Sequence, residues 1–444
     1  MKLSHRESLK QFRVDPERWD SLAASHWEAK AGILSLPLAA PLITEAEFLA
    51  AVTRAFTLAP AAAALSIDGV TVGPDDRRRT DGSLLPSSQD DSVSAYVDRT
   101  MAALGAASLY GYLPGVQVFA ADLWFRCREL LAPLVARVGL PANRIEMDLF
   151  WGRYDATPTR IHKDSANLTY VVAGTKKMLV WPHDAFAHLP EVQARQPRYL
   201  TNMFLGDAVR LEEHADRAIP LEARAGEVMY WPSDYWHIGV GQGEVVQTMT
   251  IAFYLCDDVA LDLDAAMKRV YPAEKRHFTN FTLPVRRGAD GRTVAAPPER
   301  AASVERLLEL FQASLATQAQ ITAREWTRKV TAAGFTRVPP LEEDAPLTDE
   351  DLVGDADFPV LVWDSPLALH VFCNGHGEMF GPSDPTTLAL VDFANTGARF
   401  RVEEWLERAS GADDPDEARA EAARLLAFLL RARGVYRCDD GVTT

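Results

Sequence analysis

The sequence is poor in cysteine and has no paired cysteine motif. Its four cysteines, Cys127, Cys256, Cys373 and Cys438, are far apart and form no Cys-x-x-Cys. This argues against a disulfide framework and against a zinc ribbon. The sequence also lacks a run of about twenty apolar residues, and its polar start does not resemble a secretory signal. We therefore expect a cytoplasmic protein that does not contact a membrane.

Positive charge is also in short supply. The 444 residues contain 46 Lys and Arg against 62 Asp and Glu, which gives a net charge of -16 and a pI near 5.1. Because the nucleic-acid backbone repels such a surface, we expect no nucleic-acid partner. The same charge favours a neutral or basic peptide as substrate. A chain of this length exceeds what one hydrophobic core usually serves, so two or three domains are expected.

One short stretch carries metal-binding residue types at a useful spacing. His162 and Asp164 are two residues apart in Thr159-Arg-Ile-His-Lys-Asp-Ser-Ala-Asn167. On an extended backbone they point to the same face and can chelate one ion. A third ligand is available at His237, which ends an aromatic stretch starting at Gly226. Two histidines and one carboxylate form the facial triad that leaves open positions on a ferrous ion. The spacing alone leaves open a surface turn pair and a core histidine.

In this context the chain resembles the JmjC family of iron- and 2-oxoglutarate-dependent oxygenases, which includes ribosomal and asparaginyl hydroxylases. The family has a Thr three residues before the His-x-Asp, here Thr159, and a Gly-x-Lys at the start of the next strand, here Gly174-Thr-Lys176. That Thr and Lys hold the distal carboxylate of 2-oxoglutarate. Asn167 lies near an Asn that asparaginyl hydroxylases keep close to the co-substrate, with a spacing one residue shorter.

The resemblance implies a function and a set of roles. Iron binding and catalysis would depend on His162, Asp164 and His237, and co-substrate binding on Lys176, Thr159 and Asn167. The cofactors would be Fe(II), 2-oxoglutarate and dioxygen. The family also places an Asn on the last core strand, where this chain has Thr250-Ile-Ala252, so the group that holds the metal-side carboxylate stays open.

The predicted activity is hydroxylation, rather than demethylation, of a side chain in a peptide or protein. A ribosomal protein and a natural-product precursor peptide are both open as substrates. Two other functions compete with this prediction. One is a ligand-sensing or metal-sensing regulator that joins a jelly roll to a winged-helix domain. The other is a cupin metalloenzyme that does not use 2-oxoglutarate.

Short strands broken by Gly, Pro and Asp predict a β-sandwich or a jelly roll. The resemblance implies the second, so we expect an α+β protein with a jelly-roll core, the double-stranded β-helix, and flanking helices. The predicted strands are 144–151, 166–172, 177–181, 227–231 and 245–255. The long polar stretches around Arg77 and from Pro182 to Leu221 are expected to flank the mouth of the jelly roll. We place the catalytic domain at residues 1–258.

The remainder of the sequence is predicted to be mainly helical. Helices are expected at 260–270 and 303–320, and the second has one apolar face. Resemblance to ribosomal oxygenases implies that residues 259–338 mediate a homodimer, although packing of this face on its own sandwich is equally open. An acidic stretch after Pro340 is interpreted as a linker. After this linker, the resemblance to ribosomal oxygenases implies a winged-helix-like domain within residues 339–444.

Overall fold

The computed structural model describes residues 5–73, 76, 84–87, 89–193, 203–206, 209–255, 267–268, 286–287, 289, 294–295, 298–344, 346–365, 367–381, 385–409 and 414–438. The chain forms two compact units. The first combines residues 1–256 with residues 329–444, and the second comprises residues 257–328. The predicted division into three domains at residues 258 and 338 stays a prediction.

The secondary structure is mixed. The strands are β1 Gly32–Leu34, β2 Ala64–Ile67, β3 Val70–Val72, β4 Leu109–Pro114, β5 Arg144–Arg153, β6 His162–Lys163, β7 Ala166–Ala173, β8 Thr175–Trp181, β9 Met203–Phe204, β10 Ile219–Arg224, β11 Val228–Trp231, β12 Trp236–Val240, β13 Val246–Tyr254, β14 Arg286–Arg287, β15 Val294–Ala295, β16 Asp351–Gly354, β17 Leu361–Asp364, β18 Leu369–Cys373, β19 His376–Met379, β20 Arg399–Arg401 and β21 Val435–Arg437. The helices are α1 His5–Lys10, α2 Pro16–Ser25, α3 Glu45–Leu58, α4 Val93–Leu104, α5 Ala121–Val138, α6 Pro190–Gln193, α7 Pro298–Thr331, α8 Pro385–Asn395, α9 Val402–Glu407 and α10 Pro415–Arg431.

Two antiparallel sheets form the core of the first unit. The larger sheet has the strand order β1-β11-β7-β13-β5-β4-β2-β3, and the smaller has the order β10-β8-β12-β6-β9. Strands that are distant in sequence are neighbours, for example β7 with β11 and β13, which is the crossover pattern of a jelly roll. The predicted α+β class and jelly-roll core are confirmed. Each of the five predicted strands lies on an observed strand and differs by at most two residues at either end.

Strand β5 shows how the sequence gives the sheet two different faces. Its odd-numbered residues from Ile145 to Trp151 belong to the apolar core. Its even-numbered residues, Glu146, Asp148 and Phe150, line the cavity on the opposite side. Because successive side chains of a strand point to opposite faces, this alternation fixes which face is polar. The polar face is therefore available for binding.

Helices cover the apolar face of the larger sheet. Trp19 of α2, Phe48 of α3 and Trp124 of α5 are fully buried with Trp151 in one core. Helix α3 begins at a capping box in which Thr44 and Glu47 bond each other's backbone N–H, as is typical of a Thr-x-x-Glu sequence. The apolar stretch over residues 116–139 forms a 3-10 turn at residues 116–118 and then helix α5. Burial of these aromatic side chains stabilises the packing of the helices on the sheet.

Residues 332–338 return to the jelly roll and pack against β5. The Ile145 N–H donates to the Gly334 carbonyl at 2.9 Å, and Phe335 forms a parallel bridge with Ile145. Phe335 is fully buried in the core beside Trp124, with 6.0 Å between ring centroids. This segment therefore belongs to the core of the first unit although it follows the jelly roll by about eighty residues.

The C-terminal part of the first unit has two three-stranded sheets, β20-β16-β21 and β17-β18-β19, with helices α8 to α10. Strands β18 and β19 form a hairpin that turns at Asn374 and Gly375, which both have positive φ. Arg128 of α5 is fully buried and contacts Asp355 at 3.1 Å and the ring of Phe358 at 3.6 Å. Because a buried charge left without its partner is costly, this contact fixes the C-terminal part to the helical layer.

The acidic segment after Pro340 is held by ion pairs. Glu342 contacts Arg433 at 2.6 Å, and Glu350 contacts Arg437 at 2.6 Å. These side chains are partly exposed, so each pair contributes little by itself. Together they keep the segment alongside α10 and β21. A free linker would instead be surrounded by solvent.

The second unit contains most of α7 and the short β14-β15 pair. Helix α7 covers the predicted helix at 303–320 and extends beyond it at both ends. The helix predicted at 260–270 lies, except for residues 267–268, outside the described residues, as does most of the Arg77 loop. Among the helices that are described, none is long and apolar enough to cross a membrane.

Candidate active site

The smaller sheet brings the three predicted metal ligands together. His162 begins β6, and it is the direct cross-strand partner of His237 on β12. Asp164 follows β6 immediately. One donor atom from each of the three residues lies within 4.8 Å of the other two, and Asp164 Oδ1 is 3.8 Å from His237 Nε2. A spread of this size is compatible with the binding of one ion, which such ligands hold at about 2.0–2.2 Å.

Backbone carbonyls orient both imidazoles. His162 Nδ1 lies 2.9 Å from the Arg160 carbonyl oxygen, and His237 Nδ1 lies 3.2 Å from the Tyr235 carbonyl oxygen. Because a carbonyl only accepts, each Nδ1 carries the hydrogen and each Nε2 keeps a free lone pair. This arrangement of a second hydrogen bond behind each ring is the one found around metal-bound histidines.

Charge and burial also suit metal binding. His237 is 4% exposed, and its burial, together with the neighbouring His162, holds its pKa well below the usual value. Asp164 opposes that shift. His237 is therefore neutral at physiological pH, which is the form that binds a metal. The Asp164 carboxylate is held by the N–H and hydroxyl of Ser165, at 2.6 Å and 3.0 Å.

The three residues line a cavity of about 520 Å³ between the two sheets. Aromatic side chains shield the imidazoles, with Phe204 stacked on His162 at 5.2 Å and Trp231 tilted against His237 at 5.1 Å between ring centroids. Phe204 is half-exposed and lies on the short β9, next to residues outside the described set. The metal-ligand cluster is thus open to the cavity and apolar around the rings.

The three residues predicted to bind the co-substrate line the same cavity. Lys176 is 5% exposed, and its Nζ donates to the Tyr154 hydroxyl at 2.8 Å. Thr159 Oγ1 lies 3.3 Å from Thr157 Oγ1. Asn167 is buried and donates from Nδ2 to the Ser165 carbonyl at 2.7 Å. All six predicted residues are therefore brought together, while their roles stay predictions.

Two carboxylates on β5 extend the polar surface of the cavity. Asp148 is buried and accepts from the Gly115 N–H at 3.0 Å and, weakly, from the Tyr112 hydroxyl at 3.4 Å. Burial raises the pKa of Asp148 to about 7, against the effect of the Gly115 N–H and with a further rise from Glu146. Among the described residues, no cationic side chain hydrogen-bonds Asp148.

Glu146 differs from Asp148 because it has cationic partners. Both Nε and Nη2 of Arg337 donate to Glu146 Oε1, at 3.0 Å and 2.7 Å. Arg144 lies 3.2 Å from the other carboxylate oxygen and stacks over Tyr254 at 3.9 Å. Arg337 also lines the cavity, although it follows the jelly roll in sequence by about eighty residues. The cavity wall is therefore completed by a segment outside the jelly roll.

Sequence reasoning missed Glu146 and Asp148, although a signal was present. The stretch Arg-Ile-Glu-Met-Asp-Leu-Phe alternates polar and apolar residues, and in a strand that pattern places both acids on one face. Tyr154 and Arg337 carry no such local signal. Their positions depend on which distant segments meet, and a single sequence does not show this.

Comparison with known proteins finds similarity to solved structures but no match of the sequence. No protein-family model matches the sequence, and no curated protein matches it. The chain is similar to the solved structure of YcfD, a ribosomal oxygenase from Escherichia coli, with 13% identity, a TM-score of 0.47 and coverage of 94% of this chain and 97% of that one. YcfD solved with cobalt and 2-oxoglutarate gives 13% identity, a TM-score of 0.48 and coverage of 94% and 98%. An oxalate decarboxylase is similar over 28% of this chain and 26% of its own, with 19% identity and a TM-score of 0.16.

Proposed function

We propose that this protein is an Fe(II)- and 2-oxoglutarate-dependent dioxygenase that hydroxylates a side chain of a peptide or protein. One observation carries the proposal: two imidazoles and a carboxylate converge beside a buried lysine on the wall of one cavity. A structural zinc site would use four protein ligands. A three-ligand set leaves positions for a co-substrate and dioxygen.

The residues present fit these groups. His162, Asp164 and His237 would hold the iron, and Lys176 would pair with a carboxylate of 2-oxoglutarate as a buried point charge. Thr159 and Asn167 would contribute a hydroxyl and an amide nearby. When bound, iron, 2-oxoglutarate and dioxygen supply an oxidation that puts one oxygen atom into a C–H bond and leaves succinate and carbon dioxide.

The protein contributes position and shielding. Phe204 and Trp231 cover the imidazole faces and limit water near the reacting carbon. Strands β6 and β12 hold both histidines on a sheet, which keeps them more rigid than loops would, and Asp164 directly follows β6. The substrate carbon must be brought within reach of the metal, and this positioning provides much of the acceleration.

We propose that the substrate is cationic near the reacting carbon. Asp148 supports this, because it is buried and no cationic side chain in the described part of the chain hydrogen-bonds it. Such a carboxylate gains most from a guanidinium or ammonium group supplied by a ligand. Glu146 is already paired with Arg337 and Arg144. The net charge of -16 attracts the same class of peptide. Hydroxylation of such a side chain is proposed rather than demethylation.

The remaining parts of the proposal concern organisation. We propose that residues 259–338 mediate a homodimer, supported by the exposed Leu308, Leu310 and Leu315 on α7. Residues 339–444 would form a winged-helix-like domain without affinity for nucleic acid. The protein would act in the cytoplasm on a ribosomal protein or on a precursor peptide.

The test uses the full chain reconstituted with Fe(II). Peptide arrays that vary one central residue are incubated with 2-oxoglutarate, and succinate release and intact peptide mass are measured. We expect peptide-dependent succinate and a gain of one oxygen atom on peptides with a basic centre, both lost in His237→Ala. Oxidation without succinate would support the cupin metalloenzyme alternative. Metal and 2-oxoglutarate binding with no oxidation of any peptide would favour the regulator alternative.

A further inference from the structure

The Lys176 ammonium has a specific protein partner. Its Nζ donates to the Tyr154 hydroxyl at 2.8 Å, and both residues are 5% exposed. The Tyr154 ring packs edge-on against Tyr110, with centroids 5.2 Å apart, so its own position is fixed by packing. A lysine head on a four-carbon stem is otherwise free to move within a cavity of this size. Tyr154 therefore restricts where the positive charge lies.

The backbone around Tyr154 is held against the end of β12. The Thr157 N–H donates to the Gly239 carbonyl at 2.9 Å, and the Gly241 N–H donates to the Asp155 carbonyl at 2.8 Å. Ala156 and Val240 form an antiparallel bridge between these two bonds. Residues 154–157 thus lie directly alongside the end of β12, the strand that carries His237. The strand that carries His237 also sets the position of Tyr154.

Two glycines make this close approach possible. A Cβ at Gly241 would lie 1.5 Å from the Tyr154 carbonyl oxygen, so only glycine allows the segments to meet there. A Cβ at Gly239 would lie 2.6 Å from Lys176 Nζ and 2.8 Å from Thr157 Cγ2. The space beside the ammonium therefore exists because residue 239 has no side chain. A methyl group there displaces the charge, since a lysine head is flexible.

We propose that Tyr154 is a positioning residue that fixes the Lys176 ammonium, and that Gly239 keeps the space in which it is held. The inference rests on the proposed function, in which Lys176 pairs with a carboxylate of 2-oxoglutarate. One of the three ammonium donors is engaged by Tyr154, which leaves two for that carboxylate. If the ammonium is fixed before the co-substrate binds, its position sets the distance between the metal and the distal carboxylate that the site can accept. The site then selects the length of the dicarboxylate as well as its charge.

The test measures binding without turnover. The full-length protein, loaded with Mn(II), is titrated calorimetrically with 2-oxoglutarate, with its one-carbon-shorter homologue oxaloacetate and with its one-carbon-longer homologue 2-oxoadipate. Tyr154→Phe removes only the hydroxyl oxygen and keeps the ring packing. Gly239→Ala inserts the methyl group against the ammonium. Tyr170→Phe is the matched control, because Tyr170 is buried on β7 but faces the apolar core, and Gly73→Ala controls for a glycine in open space.

We expect the wild-type protein to prefer 2-oxoglutarate to both homologues. Tyr154→Phe and Gly239→Ala should bind 2-oxoglutarate roughly tenfold or more weakly, since a hydrogen bond to a charged group is lost or displaced. The preference among the three lengths should shrink in both variants. Mn(II) affinity and the two controls should match the wild type.

Two results for Tyr154→Phe would overturn the inference: unchanged binding and selectivity, or an equal loss of affinity for all three acids, which indicates a structural role. The isosteric variant keeps the test decisive even if Gly239→Ala fails to fold. A wild-type protein that binds Mn(II) but none of the three acids would overturn the proposed co-substrate and this inference together. If instead the wild-type protein binds 2-oxoglutarate and Tyr154→Phe binds it equally well, only the inference about Tyr154 is overturned.

Discussion

Replacing Lys176 with alanine removes the buried positive charge of the cavity and leaves the metal ligands in place. Lys176 is 5% exposed, so a carboxylate bound to it is largely desolvated. Loss of one partner from a buried ion pair costs about 3–5 kcal/mol. At 1.4 kcal/mol for each factor of ten, 2-oxoglutarate affinity should fall by about a hundredfold to a few thousandfold. Iron affinity should change little.

The assay combines calorimetric titration of 2-oxoglutarate with the KM for 2-oxoglutarate measured from succinate release. Lys177→Ala is the matched control, since Lys177 is the next residue on β8, more exposed, and opposite Glu222 across the strand pair. It should bind 2-oxoglutarate within about a factor of two of the wild type, as expected for a surface substitution. Wild-type affinity in Lys176→Ala would refute the assignment. A large loss in both variants would mean that general charge, and not the buried position, attracts the co-substrate.

Three further predictions concern metal, pH and the cavity wall. Mn(II) at a hundred times its Kd should stabilise the protein by about 2.7 kcal/mol, and this thermal shift should disappear in His237→Ala or when EDTA is added. Because folding raises the pKa of Asp148 from 3.8 to about 7, protonation of this carboxyl favours the folded state. This contribution to stability is complete below pH 3.8 and is lost as the pH rises through 7. The Tm advantage of wild type over Asp148→Asn should therefore decrease from about pH 4 to above pH 7, and a difference that increases with pH would contradict it. Arg337→Ala leaves Glu146 with one guanidinium partner and should cost about 1–3 kcal/mol in denaturant unfolding, whereas the exposed Arg306→Ala should cost nothing measurable; equal values would show that the pair is not important to stability.

The sequence was most informative where structure is local. The capping box at Thr44 and Glu47, the turn at Asn374 and Gly375, and the five main strands follow from side-chain chemistry and period. Strand partners were less accessible. The extension of the larger sheet depends on β4 pairing with β5, on β2 pairing with β4 and on β3 pairing with β2. The sequence does not show that β4 pairs with β5, because these two strands are separated by helix α5. The acidic segment at Glu342 has the composition of a solvated linker, because the arginine that pairs with Glu342 lies about ninety residues later in the sequence.

The same limit applies to the candidate site. His162 and Asp164 were identifiable because two residues on one strand face suffice to suggest chelation, and His237 because of its aromatic context. Tyr154 was not, because its relation to Lys176 arises from strands that meet only in the folded chain. Arg337 comes from still farther away and has no motif around it. Residues that act through another residue are the ones that sequence patterns miss.

The return of residues 332–338 to strand β5 has a consequence for synthesis of the protein. When residue 256 has been added, the jelly-roll sequence is complete, yet Phe335 and Arg337 do not exist for about eighty further residues. At roughly 5–20 residues per second, translation takes about 4–16 seconds to supply them. During that interval the nascent chain exposes the apolar surface around Ile145 that Phe335 later covers. During the same interval the Glu146 carboxylate lacks Arg337, whose Nε and Nη2 groups later donate to its Oε1 atom. The wall of the cavity can therefore be completed only after residue 337 has been added to the chain.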